Sequence, residues 1–116
     1  MPVKVNQEAV KHARQLIEDD QYSLNTQWSQ AQPSTQEENK FLDKNGEGEY
    51  AKWFLAIDTD EKEGGKERHK FPYGDFRRLH RSGVIAAKQR AAQNDYKDVE
   101  EAADDLLDLM DRLDAC

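Results

Sequence analysis

The stretch Asp98-Val99-Glu100-Glu101-Ala102-Ala103-Asp104-Asp105-Leu106-Leu107-Asp108-Leu109-Met110-Asp111-Arg112-Leu113 decides the fold class of this chain. Val99, Ala102, Ala103, Leu106, Met110 and Leu113 stand at offsets of 0, 3, 4, 7, 11 and 14. That spacing places them on one face of a helix, because side chains three and four apart lie one above the other. Glu100, Glu101, Asp104, Asp105, Asp108 and Asp111 fall mainly on the opposite side. The segment therefore reads as an amphipathic helix that covers a core. Asp98 and Glu101 have the spacing of a capping box at its start. Just upstream, 84–93 is rich in small residues, with Ala86, Ala87, Ala91 and Ala92. Small side chains let a neighbouring helix approach closely. The connection over 94–97 is short, so the two helices are expected to pack as an antiparallel hairpin, alanine face against Leu/Val/Met face.

Further from this hairpin the pattern becomes mixed. Ala9, Val10, Ala13, Leu16 and Ile17 repeat at helical spacing and predict a first helix over 6–20, with Asn6 as N-cap and Glu8 at its positive end. Over 21–33 the periodicity dissolves into Ser, Asn, Thr and Gln around Trp28, which reads as a polar linker or arm. Trp28 is expected to dock on its own domain, since a large apolar ring is rarely left in water without a partner. Ser34 and Glu37 have the capping-box spacing, and Asn45-Gly46 is a common stop, so a short helix is expected over 35–44. The aromatic run 52–58 reads as a strand. The Gly64-Gly65 pair would turn it into a second extended segment over 67–73. Pro72 belongs at a strand end or edge. Asp75 is expected to cap a further helix containing Phe76, Leu79 and His80, with Ser82-Gly83 as an interruption or a new cap. The fold class is α+β and mostly helical: a C-terminal antiparallel helical hairpin packed with a short two-stranded β-hairpin and one or two N-terminal helices.

With 116 residues the chain is sized for a single small domain, 1–116. Apolar residues make up 36% and charged residues 35%, so the core must be small. No apolar run approaches the roughly 18 residues of a membrane span. The N-terminus has no apolar signal stretch, and the expected location is cytoplasmic. The single cysteine, Cys116, staples nothing and excludes disulfide-scaffold and zinc-ribbon readings. The net charge of −7 is unevenly placed: 1–61 carries −6, 62–94 carries +6 and 95–116 carries −7. A basic block between two acidic ones is expected to pair with them inside the monomer or across a dimer.

Sites of reaction chemistry are hard to find. Asp58-Thr59-Asp60 opens like a calcium loop, but Glu63 stands where glycine is needed and His69 where a bidentate glutamate is needed. His12, His69 and His80 lack the pair spacing of a metal site and are expected to be neutral surface residues. His80 and Ser82 have no glycine-framed serine loop around them. The six glycines make neither nucleotide-binding pattern. No histidine follows His80, so the acidic C-terminal helix lacks the Glu-x-x-His element of a ferritin-like site. No catalytic residue, metal site or cofactor is assigned.

What remains is the basic, aromatic-interleaved stretch 66–81. Cations interleaved with rings suit a single strand of nucleic acid. Phe71, Phe76 and Leu79 are equally the natural core contacts of a hairpin-to-helix junction, and the domain has few apolar residues to spare. The candidate interaction surface is Trp53, Arg68, Lys70, Phe71, Tyr73, Arg77, Arg78 and Arg81.

The strings Lys52-Trp53-Phe54-Leu55-Ala56-Ile57-Asp58, Lys70-Phe71-Pro72-Tyr73-Gly74, 86–94 and 99–107 together resemble an uncharacterised module that accompanies tailed-phage head-maturation and other prophage proteins. Similar segments occur as small free-standing bacterial proteins. The resemblance implies a phage or mobile-element context and supplies no activity. The histidine and serine motifs of the head-maturation protease itself have no counterpart here. The expected function is a non-catalytic protein-interaction or assembly module, with a protein partner or self-association. The alternative is a nucleic-acid-associated protein using 66–81, and a hydrolase is a distant third.

Overall fold

A computed structural model describes residues 3–61 and 68–114. The expected Gly64-Gly65 turn, Lys66 and Cys116 lie outside the described residues. The elements run β1 (Val3–Val5), α1 (Gln7–Glu18), β2 (Tyr22–Ser23), α2 (Trp28–Ala31) and α3 (Thr35–Ala51). They continue with β3 (Phe54–Asp58), β4 (His69–Pro72), β5 (Leu79–His80), α4 (Arg81–Gln93) and α5 (Lys97–Asp114). The fold is α+β and mostly helical.

The C-terminal hairpin forms as its periodicity requires. Arg81 at the start of α4 meets Asp111 near the end of α5, and Lys88 meets Asp104 midway, so the helices run antiparallel. Val84, Ala87 and Ala91 of α4 and Val99, Ala103, Leu106 and Met110 of α5 are buried. Burying a leucine-sized side chain contributes about 1.5–3 kcal/mol. Two details differ from expectation. Leu113 is 43% exposed because the stripe outruns the core, while Leu107 and Leu109 are buried. Helix α5 begins at Lys97, so Asp98 is already helical and sits with Glu100 in the positive first turn instead of capping it. The α4 end closes with Tyr96 N–H donating to Ala91 O and Asp95 N–H to Ala92 O, with Asp95 at φ +61°. This is a Schellman motif, with aspartate where glycine is common.

The expected hairpin gains a third strand. β3 pairs antiparallel with β4 through Phe54–Pro72, Ala56–Lys70 and Ile57–His69. β1 adds on the other side through Val3–Asp58, Lys4–Ile57 and Val5–Ala56, giving the order β1-β3-β4. Pro72 thus stands on an edge strand, where a missing amide proton costs no ladder bond. Asn6 flanks α1 as expected, but its side chain makes no cap. Buried between layers, it donates to Ala51 O at 2.9 Å and Phe54 O at 3.4 Å, joining the first helix to the sheet. Ala9, Ala13 and Ile17 of α1 face the same core as α5 and Leu55.

The capping box Ser34–Glu37 is present in both directions, at 3.2 and 3.1 Å. Gly46, at φ +86° and ψ 167°, breaks α3 where a stop was expected, but a further helical turn resumes and carries the buried Tyr50. The stretch 21–33 holds more structure than a linker. β2 pairs in parallel with β5 through Tyr22–Leu79 and Ser23–His80, and α2 sets Trp28 against Gly83 of α4. Among the described residues no helix is long and apolar enough to cross a membrane.

Candidate functional site

The helix expected after Asp75 does not form. Asp75 behaves locally like a cap: its Oδ1 accepts the backbone N–H of Arg77 at 3.0 Å and of Arg78 at 2.8 Å. Phe76, however, adopts φ +70°, which turns the chain out of a right-handed helix. The Asp75 N–H then bonds back to Arg78 O at 3.1 Å, and the chain reverses into β5. Gly74 makes this reversal possible, since a Cβ there would lie 2.5 Å from Arg78 O and 2.6 Å from Trp53 Cζ3. Phe76 stacks on Phe41 of α3 at 4.4 Å and packs against the core beside Tyr50 and Trp53. Between these anchors Arg77 and Arg78 are exposed at the tip.

Behind the turn a polar chain centred on the buried His80 holds it still. His80, 5% exposed, bonds through Nε2 to Asp75 Oδ2 at 2.9 Å and through Nδ1 to Thr26 Oγ1 at 2.6 Å. A carboxylate can only accept, so Nε2–H donates to it, and Nδ1 shares a hydrogen bond with the Thr26 hydroxyl. Burial pushes the Asp75 carboxyl upward in pKa. The N–H groups of Arg78 and Arg77 and the His80 ring favour its charged form, and the net shift is downward. Thr26, His80 and Asp75 have the connectivity of a nucleophile, base and orienting acid. The far end of the chain is two backbone N–H groups, so its mechanical effect is to lock the arm onto the turn. His80 makes no bond to Ser82, whose Oγ is buried without a hydrogen-bond partner among the described residues.

The histidines are not the surface groups expected. His12 is half-buried, with Nδ1 3.0 Å from Tyr73 Oη and its ring edge-on to Trp53 at 4.9 Å. Tyr73 Oη donates to Lys52 O at 2.6 Å, and burial pushes the phenol's pKa upward. His69 is 7% exposed among Tyr50 and Phe54, both ring nitrogens lack hydrogen-bond partners among the described residues, and Glu47 Oε1 stands 3.7 Å from Nε2. Burial lowers the pKa of both His12 and His69. The physical reason is one of supply: with few aliphatic residues available, these rings fill the core as flat apolar bodies.

The expected interaction surface divides in two. Trp53 and Tyr73 are 6% and 0% exposed, so they are core residues and are corrected out of it, while Phe71, 8% exposed, is a core residue whose remaining surface lines two clefts beside β4. The cations remain at or near the surface with different partners. Arg81 pairs with Asp111 at 3.4 Å, and Arg68 donates to the Glu61 carbonyl at 3.0 Å. Lys70, Arg77 and Arg78 have no carboxylate partner among the described residues, so the internal pairing expected for the whole block holds only in part. Thr26 and Gly74 escaped the sequence reading. Thr26 meets His80 across 54 positions, a separation that leaves no local pattern. Among the described residues no group of three or more His, Cys, Asp or Glu side chains could hold a metal ion.

Comparison with protein families, curated proteins and solved structures finds no match for this chain.

Proposed function

We propose that this chain is a non-catalytic protein-interaction or assembly module, in keeping with the prophage modules it resembles, and that the turn Asp75–Arg78 is its principal contact. The observation that carries the reading is the turn itself. Two adjacent guanidinium groups are displayed on a backbone fixed by Asp75, His80 and Thr26, while Arg81 and Lys88 on the following helix are occupied by α5 carboxylates. Guanidinium is the group of choice for bidentate recognition of carboxylates, and a fixed turn reduces the ordering cost of binding. An acidic patch on another protein, or on a second copy, fits this display. The nucleic-acid alternative draws on the same two arginines. It is disfavoured by the net charge of −7, which opposes the approach of a polyanion.

A photo-crosslinking residue placed at Arg77 or Arg78 in the full chain separates the two readings in cells. The expected product is a discrete protein adduct that survives nuclease. A nuclease-sensitive adduct, with purified chain bound to DNA at sub-micromolar affinity and a steep salt dependence, overturns the proposal in favour of the alternative.

A further inference from the structure

A second surface lies away from the arginine turn, where α4, the edge strand β4 and the docked arm meet. Two clefts of about 250 and 260 Å³ share Phe71 and Arg90 as common walls. The first is lined by Trp28 and by the small side chain of Ala86. The second is lined by Lys70 and Tyr96. The two clefts adjoin at these walls: the first sets Trp28 and Ala86 among the polar side chains of Gln32, Gln89, Gln93 and Arg90, and the second forms a cationic half with Lys70 and Arg90.

Four observations bear on what this groove holds. Arg90 points away from the α4–α5 seam, and neither it nor Lys70 has a carboxylate partner among the described residues, unlike Arg81 and Lys88 on the same helix. Phe71, at the junction, sits at φ +65° inside a strand, a left-handed conformation that a bulky residue adopts only when its surroundings hold it there. Ala86 is half-buried beside the indole of Trp28, leaving space for an apolar side chain. Gln89 and Gln93 stand along the rim with amide donors and acceptors suited to an extended backbone.

We infer that this groove binds an extended peptide of another protein in which an apolar side chain is followed closely by an acidic one. The apolar side chain enters between Trp28 and Ala86, and the carboxylate meets Arg90 and Lys70. Asp58 lines the cationic half as well. A single carboxylate tolerates it, whereas a run of phosphates would meet one anion for every two cations there. The inference goes beyond the arginine turn and stands or falls separately from it.

The test is fluorescence anisotropy of the full chain with a labelled octapeptide carrying two Leu-Glu pairs between Gly-Ser ends. A Leu-Gln peptide, an Ala-Glu peptide and a thymidine decanucleotide serve as comparators. Saturable binding is expected for Leu-Glu alone. Arg90→Glu and Ala86→Leu should each weaken it about tenfold or more, with circular dichroism unchanged. Lys11→Glu, the same charge reversal on α1, and Arg77→Glu with Arg78→Glu should leave it within about twofold. Absence of saturation up to about 1 mM peptide overturns the inference. So does a loss in Lys11→Glu equal to that in Arg90→Glu, a preference for the oligonucleotide, or sedimentation in which Arg90→Glu dissolves a self-associated species. Failure here leaves the crosslinking result at Arg77 and Arg78 untouched.

Discussion

The α4–α5 hairpin and the assembly of arm and turn around His80 are built by different means. In the hairpin, apolar residues recur every three or four positions, the helices are joined by a short loop, and burial follows from local periodicity. In the second region, pieces far apart in sequence are held by two short β pairings, two glycines that admit an aromatic ring or backbone, and one polar chain through the buried His80. Local order follows from the spacing of residue types. Docking order depends on where single residues meet. The comparison predicts that damage to the hairpin costs global stability, whereas damage to the docked region has a more local origin.

The largest effect is expected for Leu106→Ala, which removes a fully buried side chain from the centre of α5. It should cost about 2–5 kcal/mol, a large share of a small domain's stability. An unchanged midpoint in chemical denaturation would break the claim that this face carries the core.

Gly83→Ala tests the docked region. The new Cβ would lie 2.7 Å from Trp28 Cζ3 and 2.8 Å from Tyr73 O. The indole can move but the backbone oxygen cannot, so a cost of about 1–3 kcal/mol is expected. Trp28 emission should shift toward that of a solvated indole while the α5 amides keep their exchange protection. Loss of protection throughout would show that arm and hairpin form one cooperative unit.

Acid sharpens the contrast further. His12 and His69 have folded pKa values lowered by burial, so their contribution to stability is fully present above the ordinary value near 6.5. It declines as pH falls from there toward the folded values, because the unfolded chain binds protons first. Asp75 has a lowered carboxyl pKa, so its contribution declines only in a second step, below about 4. Melting temperature measured from pH 8 to 3 should show both descents. His69→Phe should flatten the first and Asp75→Asn the second. A first descent unaffected by His69→Phe would remove His69 from its cause.

These differences explain what was legible. The amphipathic stripe of α5 and the Ser34–Glu37 box are written in consecutive residues and found where expected, and the strand expected over 52–58 forms from Phe54 to Asp58. Asp75 was legible as a cap, but not the left-handed Phe76 that diverts the cap into a turn. β1 was missed because three residues are too few for an alternation pattern, and β2 because two are. Within the basic stretch the two residue types part on folding. Its aromatic members went to the core because the chain has few other apolar groups, while its arginines stayed outside.

A gain is expected at the hairpin loop. Asp95 holds φ +61° in the Schellman motif that ends α4. Glycine meets that geometry without a Cβ clash, so Asp95→Gly should raise stability by about 0.5–1 kcal/mol, less the extra entropy glycine gives the unfolded chain. A loss would mean that the aspartate side chain contributes an interaction of its own.

The smallest effect is assigned to the arginine turn. Arg77 and Arg78 are exposed and lack a carboxylate partner among the described residues, and what the turn takes from them is their backbone N–H groups, which alanine also provides. Arg77→Ala with Arg78→Ala should therefore change stability by no more than about 0.5 kcal/mol in either direction. In the same variant, protein adducts formed from a crosslinker at the adjoining exposed edge of α4 should fall sharply. The two readouts together distinguish a surface maintained for contact from one maintained for the fold. A drop of about 2 kcal/mol or more would place these side chains in unseen stabilising contacts and return the turn to the class of structural elements. Unchanged stability with undiminished adducts would leave the turn standing but move the contact away from Arg77 and Arg78.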